Sequence, residues 1–473
     1  MMKRILNISS VLTACVLTAG LSFAPKAAQS DSLADALVGA YDHSGLLEQN
    51  RALLRAADED VASAAAALKP ILNWSADLTR AFGDSRSAAI GTVQSLGGTT
   101  ASVGLIAELL LYDAGATATG VEAAKETVLA TRQNLISIEQ QILLRAVQAF
   151  MSVRSANEIV ALRQSNLRLL TQELRATRDR FEVGEVTRTD VALAEASLAE
   201  ARSGLATAQG NYIQAQEEYR NAVGRKPGRL VPPPSLPRAE TNVAAAKALA
   251  VRTHPDMAAA QHQVAAAELN ILRAKASMSP RLTANGRLGI TENLGSNAYT
   301  NSGSVGLELS GPVYQGGALS SGVRRAMAQR DAQRSNLHIV RHNVEQNVGN
   351  AYAQLASVRA SLEATERRIR AARIAFRGVR EEAALGARTT LDVLDAEQQL
   401  LDAEAARISA QADLYIASYS ILASIGRLTA QDLRLNVQLY DPSAYYNLVK
   451  DAPTKSSKQG QQLDRVLRAL QKD

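Results

Sequence analysis

Two spacings of apolar residues alternate along the chain and divide it into helical and strand-like stretches. Residues 33–69 have the three- and four-residue spacing of an amphipathic helix and end at Lys69-Pro70. Two runs of about ten residues follow, in which every second residue is apolar. The apolar positions are Leu72, Trp74, Ala76 and Leu78 in the first run and Ala101, Val103, Leu105, Ala107 and Leu109 in the second. This alternation predicts two β-strands with one apolar and one polar face, each long enough to cross a bilayer.

The second half of the chain repeats this order. Residues 243–278 are helical in pattern and end at Ser279-Pro280, and two alternating runs follow over 282–291 and 304–309. The segment that begins at Gly184 also matches the one that begins at Gly386, 202 residues later, with about 13 identities over about 42 positions and no gap. The natural interpretation is an internal duplication, so both halves should share one structural plan.

A very long helical stretch follows each pair of strands, over residues 115–181 and 318–384. Neither stretch contains proline, and at 1.5 Å per residue each helix would reach roughly 100 Å. A glycine turn and a shorter returning helix follow each one, over residues 187–223 and 389–425. Helices of this length predict a bundle or a tube of helical hairpins rather than a globular core.

The first 30 residues have the pattern of a secretory signal peptide. Lys3 and Arg4 form a charged start, and the apolar stretch that follows contains the only cysteine, Cys15. Cleavage after Ser30 is one prediction, and it would remove every cysteine from the mature chain. The alternative is a lipobox at Leu12-Thr13-Ala14-Cys15, which would make Cys15 a lipid-anchored N-terminus.

Composition and charge narrow the possible functions. Aromatic residues make up 4% of the 473 residues and alanine is abundant, which favours long, closely packed helices. The formal net charge is +6, too small to indicate a nucleic-acid partner, and no basic run is interleaved with aromatics. The five histidines lack metal-ligand spacing. No nucleophile–base arrangement or phosphate-binding loop is evident, so no metal, cofactor or enzymatic activity is predicted.

A proline-rich stretch separates the two halves. Five prolines fall within residues 225–241, which predicts a stiff connector. The pattern beyond residue 427 predicts a short strand or packed arm at Leu433–Leu439 and a short helix at Leu463–Leu470. The predicted units are a signal peptide (1–30), a first repeat (31–224), the connector (225–241), a second repeat (242–426) and a C-terminal arm with a flexible tail (427–473).

The order of these elements resembles the TolC family of outer-membrane channels. The most specific matches are Arg180-Phe181-Glu182-Val183-Gly184 with Thr189-Asp190-Val191, and Gly386-Ala387-Arg388-Thr389 with Asp392-Val393-Leu394-Asp395-Ala396. The resemblance implies a mainly α-helical homotrimer with a transmembrane β-barrel portion. Each chain would contribute four strands to a shared twelve-stranded barrel and its coiled-coil hairpins to a periplasmic tube. Open strand edges in lipid also require closure by other subunits.

The resemblance further implies a function, a location and partners. The function is that of an outer-membrane exit channel in a tripartite export system of a Gram-negative cell, gated at the periplasmic helix tips. The implied partners are a periplasmic adaptor (membrane fusion) protein, an inner-membrane pump of RND or ABC type, and outer-membrane lipid. The resemblance does not decide whether the cargo is drugs, as in multidrug efflux, or a protein, as in type I secretion. The alternatives are a lipid-anchored efflux factor and a periplasmic coiled-coil scaffold or adaptor without a channel.

Residue roles at the second tip follow from the same resemblance. Asp392 and Asp395 match an acidic pair at the periplasmic entrance, where three copies would form two carboxylate rings that attract cations. Arg388 matches an arginine that ties neighbouring coils in the closed state, with Thr189 and Asp190 matching its partners. Taken alone, the two acids also fit a solvated helix N-terminus, and Arg388 an ordinary surface residue.

The resemblance assigns other residues to the tips and to the membrane interface. The family typically has a tyrosine where this sequence has Ala383, so one tie of the closed gate is in doubt. The exposed turns are expected to dock the helical hairpins of the adaptor. The residues concerned are Val183, Gly184, Glu185, Leu385, Gly386 and Ala387. Four aromatic residues fit either a membrane-interface belt or ordinary packing; they are Trp74, Phe82, Tyr112 and Tyr314.

Overall fold

The computed structural model describes residues 30–86, 91–95, 97–233, 235–237, 240 and 242–470. The predicted signal peptide, with Cys15, lies outside these residues apart from Ser30. Most of the described residues are helical. The helices are α1 Leu33–His43, α2 Gly45–Ala66, α3 Ala116–Glu182, α4 Arg188–Val223, α5 Val243–Thr253, α6 Pro255–Ala276, α7 Ala318–Ala384, α8 Thr390–Ser424, α9 Pro442–Val449 and α10 Lys458–Leu470.

The long helices and their returning partners agree with the predicted bounds within about two residues. Both α3 and α7 have 67 residues, and they begin 202 residues apart, as do α4 and α8. Each pair forms an antiparallel hairpin: α3 packs along α4, and α7 along α8. Among the described residues, no helix is both long enough and apolar enough to cross a membrane.

The prediction of single helices over 33–69 and 243–278 was wrong, because each stretch is broken once. Ser44 has extended backbone angles, and its hydroxyl accepts a hydrogen bond from the Leu47 amide at 3.2 Å. His254 occupies the equivalent place between α5 and α6, and its Nδ1 accepts from the Asp256 amide at 3.2 Å. Each side chain caps the helix that follows it, which favours a new helix start over a continuous helix.

Four strands form one antiparallel sheet. They are β2 Ile71–Ala81, β5 Gly98–Tyr112, β7 Arg281–Asn293 and β8 Tyr299–Ser310, in the order β2-β5-β7-β8. Two small pairs were not predicted: β1 Ser30–Asp31 with β6 Arg229–Leu230, and β3 Asp84–Arg86 with β4 Val93–Ser95. The β1–β6 pair is parallel and joins the start of the first repeat to the connector.

The register of the sheet places apolar residues opposite apolar residues, which confirms the predicted alternation. Trp74 lies opposite Leu105, and Leu105 opposite Leu288. On the other face, three residues further along β2, Asp77 lies opposite Ser102, so this face carries polar residues. Trp74 is 75% exposed, so the chain itself does not cover the apolar face. The outer strands β2 and β8 each have one neighbour in this sheet.

The largest core lies where helices of both repeats meet. Leu143, Phe150 and Tyr219 are completely buried there. Residues of the C-terminal arm pack on this core without forming a strand, so of the two predicted forms the packed arm is the one observed. A second core lies between α3, α4 and α8, towards the hairpin tips. Its members are Leu170, Leu174, Ala194, Leu198, Ala201 and Leu394.

Candidate functional site: the hairpin tips

Both hairpin tips are tight turns of the same construction. In the first, Gly184 has a φ of +79°, and the Glu185 amide donates to the Arg180 carbonyl at 2.9 Å. The second repeats this, with Gly386 at a φ of +78° and the Ala387 amide in the same role at 2.9 Å. This is a Schellman motif, and its left-handed residue is usually glycine because a Cβ is strained at that φ.

Each returning helix then begins with a capping box. In α4, the Thr187 hydroxyl and amide both donate to Asp190 Oδ2, at 2.7 and 2.8 Å. In α8, the Thr389 hydroxyl and amide donate to Asp392 Oδ2, at 2.8 and 3.0 Å. These hydrogen bonds hold the pKa of both aspartates below its usual range. Asp392 therefore has a structural role at the helix start, in addition to any role in a pore.

Asp395 stands apart from Asp392 in its surroundings. It lies one turn further along α8, is exposed, and lines a cleft of about 430 Å³ between α3, α4 and α8. The residue 202 positions earlier is Leu193. At these two equivalent positions the second returning helix has two acids and the first has one, and Asp395 is the acid that does not belong to the capping box.

Arg388 pairs with its own hairpin. Its Nε lies 2.9 Å from Glu382 Oε2, and this hydrogen bond raises the pKa of the guanidinium. No hydrogen bond or ion pair joins Arg388 to Thr189 or Asp190 within the described chain. Glu382, six residues away across the turn, is the partner within reach. The second tip instead approaches Asp190 through the Thr390 hydroxyl. A contact between Arg388 and the first tip of a neighbouring copy stays a prediction.

The tips present large apolar side chains to solvent. Val183 is 72% exposed and Leu385 is 86% exposed. These two residues occupy the same place in the two turns, and each is the last residue before the glycine. Paired exposed apolar residues at the end of a helical hairpin fit a surface that docks another protein.

The four aromatic residues lie at the two ends of the sheet. Trp74, Tyr112 and Tyr314 are at the end nearest the helices, and Phe82 follows the far end of β2. All are exposed, from 56% for Tyr112 to 88% for Phe82. Their positions and exposure are compatible with interface belts and leave that role a prediction.

Two contacts between the hairpins were not anticipated from the sequence. Asn166 Nδ2 on α3 donates to Glu397 Oε1 on α8 at 2.7 Å, and both side chains are buried. Arg380 Nε on α7 lies 3.8 Å from Glu173 Oε1 on α3. The only signal for them is the internal repeat, in which the residues 202 positions before Arg380 and Glu397 are again an arginine and a glutamate.

Within the described residues, no three His, Cys, Asp or Glu side chains come close enough to hold a metal ion. His254 is a helix cap, and His262 Nδ1 lies 2.7 Å from Glu126 Oε2 between α6 and α3.

Comparison with known sequences gives matches over most of the chain. A family described as "Outer membrane efflux protein" matches residues 39–225 and 246–427. The outer membrane efflux protein BepC of Brucella suis is 35% identical over 446 residues, which cover 93% of this chain and 95% of BepC. The outer membrane protein TolC of Vibrio cholerae is 25% identical over 426 residues, 88% of this chain and 95% of that protein.

The fold also matches a solved structure. The outer-membrane channel CmeC of Campylobacter jejuni superposes with a TM-score of 0.75, covering 91% of each chain at 15% sequence identity. At that identity the likeness concerns the fold alone.

Proposed function

Because this chain belongs to the outer membrane efflux protein family, we propose that three copies form one export duct whose entrance is controlled at the helix tips. The TolC-family resemblance seen in the sequence is confirmed. The protein is an outer-membrane efflux channel, its helical hairpins lie in the periplasm, and its family consists of transport proteins. TolC-type channels form trimers and act with a periplasmic adaptor and an inner-membrane pump.

The open sheet is the observation that carries the proposal. Its apolar face is exposed and its polar face is lined by groups such as Asp77 and Ser102. An unpaired edge strand in hydrocarbon leaves backbone donors and acceptors unsatisfied, each at a cost of several kcal/mol. Pairing β8 of one copy with β2 of the next removes both edges. Three copies then give a closed ring of twelve strands, with the apolar face towards lipid and the polar face towards the lumen.

The second tip supplies the proposed gate. Of the two predicted ring acids, Asp395 is the exposed one and takes no part in the helix cap, so it is the better candidate for a charged ring. Asp392 would contribute a second ring while its carboxylate also accepts the cap hydrogen bonds. Rings of carboxylates at a narrow entrance concentrate cations and exclude anions. A tie from Arg388 to Asp190 of a neighbouring copy would require it to leave Glu382.

The tips also supply the proposed docking surface. Val183 and Leu385 point into solvent from both turns of each chain, so a trimer would present six such turns. A helical adaptor that packs small and apolar residues against them fits this surface. The pump would be of RND or ABC type, and outer-membrane lipid would cover the apolar face of the sheet.

Small toxic compounds are the proposed cargo. BepC, which is 35% identical over 93% of this chain, is named as an outer membrane efflux protein. Secretion of a protein by the same duct is the second outcome, because a duct need not recognise what passes through it. A deletion strain distinguishes the two: loss of efflux increases sensitivity to detergents and drugs, whereas loss of secretion removes a protein from the medium. A strain unchanged in both respects would contradict either role.

Neighbouring residues of β7 give a matched test of the duct. Ile290 lies in the apolar rows, opposite Val103, and Thr291 lies in the polar rows, opposite Ser102. An arginine on the lipid face near the midplane costs roughly 2–4 kcal/mol per chain, and one on the lumen face much less. Ile290→Arg should therefore greatly reduce the trimer recovered from outer membranes, whereas Thr291→Arg should assemble and change single-channel conductance in planar bilayers. Equal recovery of the two variants, or purified protein without conductance, would refute the channel.

A further inference from the structure

The buried hydrogen bond between Asn166 and Glu397 joins the two hairpins of one chain. Asn166 is 8% exposed and Glu397 is 4% exposed. Glu397 Oε1 accepts from Asn166 Nδ2 at 2.7 Å, while its Oε2 has no hydrogen-bond partner among the described residues. A buried carboxylate with one unsatisfied oxygen is costly when ionised and much less so when protonated.

The duplication shows that this contact is specific to the second repeat. Arg178 and Glu195 form an exposed ion pair that joins α3 to α4 within the first hairpin. Their counterparts 202 residues later are Arg380 and Glu397. Within the described residues Arg380 and Glu397 do not pair with each other across α7 and α8, although Arg373 and Glu404 do. Both Arg380 and Glu397 turn instead towards α3 of the first hairpin. The same two residue types hold one hairpin together in the first repeat and join two hairpins in the second.

The two contacts lie on one face of α3. Asn166 and Glu173 are seven residues apart, two turns of helix, so they point the same way. Glu173 faces Arg380 of α7 and Asn166 faces Glu397 of α8. Both helices of the second hairpin, α7 and α8, are thus held by the same face of α3 in the first hairpin.

Other charged groups surround Glu397 from each neighbouring helix. The cleft beside it is lined by Arg163 of α3, Glu200 of α4 and Asp395 of α8, and Glu173 and Arg380 complete the set. Three of these five groups are acids, so an ionised Glu397 joins a region that is already rich in carboxylates.

We propose that Asn166 and Glu397 form a proton-controlled clamp, which holds the α7–α8 hairpin against the α3–α4 hairpin when Glu397 is protonated and releases it when Glu397 is ionised. The link to gating rests on the proposed function, because the clamp lies just above the tips that form the entrance. The clamp is separate from the acidic rings, because Glu397 is buried within one chain. Its action does not depend on how three copies are arranged around a pore.

The sign of the effect follows from burial. Desolvation raises the pKa of Glu397 to about 7, and Glu173 adds to the rise, while the Asn166 hydrogen bond and Arg380 oppose it. A released hairpin exposes the carboxyl to water, where its pKa returns to about 4.3. The packed form therefore binds the proton more tightly. Its advantage is complete below the released value and is lost as the pH rises through about 7. Between pH 5 and pH 8 the ratio of clamped to released hairpins should fall roughly 10- to 100-fold.

Conductance in planar bilayers, titrated from pH 5 to pH 8.5, tests the clamp. Wild-type conductance should rise with a midpoint near neutrality. Glu397→Gln keeps the acceptor for Asn166 and cannot ionise, so conductance should stay at the acidic level throughout. Asn166→Ala removes the hydrogen bond, so conductance at pH 5 should approach the wild-type level at pH 8. The matched control is Glu195→Gln, which changes the equivalent exposed glutamate and should titrate as wild type.

The variants also separate the clamp from the acidic rings. Asp395→Asn should lower cation selectivity and leave the midpoint near neutrality. The clamp is refuted if Glu397→Gln titrates as wild type, or if Glu195→Gln abolishes the titration equally.

A distance measurement keeps the clamp testable when no pore is seen. Ser165 of α3 and Gln399 of α8 are exposed beside the two clamp residues, and spin-labelled cysteines there report the separation of the hairpins in detergent. The separation should increase between pH 5 and pH 8.5 in wild type and stay constant in Glu397→Gln. A pH-dependent separation without conductance would uphold the clamp and reject the channel. Conductance together with a pH-independent separation in both wild type and Glu397→Gln would uphold the channel and reject the clamp.

Discussion

Gly224 should be the glycine of α4 and its ends that is least tolerant of substitution. It ends α4 with a φ of +84°, and a Cβ built on it would lie 2.2 Å from Cγ and 2.7 Å from Cβ of His43, at the end of α1. Gly426, at the same place in the second repeat, has a φ of +80° and would place its Cβ 2.8 Å from Cα of His254. Both glycines let a returning helix end directly against the break between two helices.

The expected cost of Gly224→Ala has two parts. An alanine in the left-handed region costs roughly 1–2 kcal/mol. A contact of 2.2 Å requires His43 to move, and overpacking of this kind costs about 1–3 kcal/mol. The His43 ring is exposed and can rotate, but its Cβ is fixed to α1, so part of the clash stays. The sum is about 2–5 kcal/mol per chain.

Two other glycines separate these contributions. Gly184 has a φ of +79°, and a Cβ added there would meet no atom within 4 Å, so Gly184→Ala should cost the backbone strain alone. Gly210, inside α4, has neither strain nor a neighbour within 4 Å, and Gly210→Ala should stabilise by about 0.5–1 kcal/mol. Thermal unfolding of the purified protein, followed by the helical circular dichroism signal, should rank the midpoints in the order Gly210→Ala, wild type, Gly184→Ala, Gly224→Ala. A Gly224→Ala midpoint equal to or above that of Gly184→Ala would refute the steric reasoning.

The remaining predictions concern the second tip. Asp395→Asn should weaken block of the channel by divalent cations without loosening the tip, whereas Asp392→Ala should do both, because it also removes a cap worth about 1 kcal/mol. Asp190→Ala removes the same cap in the first tip and is the control for loosening, which amide hydrogen exchange measures. Equal divalent-cation block in Asp395→Asn, Asp392→Ala and Asp190→Ala would contradict the carboxylate ring. Arg388→Ser should raise closed-state conductance if the arginine ties neighbouring copies, and unaltered conductance would leave it as a partner of its own hairpin only.

The long helices and the sheet were predictable because their signals are local and repeated. Alternation over ten residues specifies a strand whichever partner it finds, and the register bears this out at Trp74, Leu105 and Leu288. The glycine turns were equally visible, since a left-handed residue after a long helix is usually glycine. The capping role of Asp392 was also predictable, because a threonine lies three residues before it, as in a capping box.

The contacts that depend on three-dimensional surroundings were not predictable. Glu195 and Glu397 occupy equivalent places in a duplicated sequence, yet one is exposed in an ion pair and the other is buried beside Asn166. Nothing in the local pattern distinguishes them, because the difference arises from which hairpin lies next to which. The parallel pairing of Ser30–Asp31 with the connector escaped prediction for the same reason, since two residues carry no periodicity.

Because α3 and α7 have equal lengths, both hairpin tips lie at the same distance from the sheet. Seven residues added to both α3 and α4, with the second hairpin unchanged, would carry the first tip about 10 Å beyond the second. A partner that contacts both tips would then meet them at different heights. Changes in length are therefore expected to be tolerated only in sets, one in each of the four helical arms. If a partner docks at both tips as proposed, each hairpin sets the distance of that partner from the membrane, so the length of one hairpin cannot change without the other.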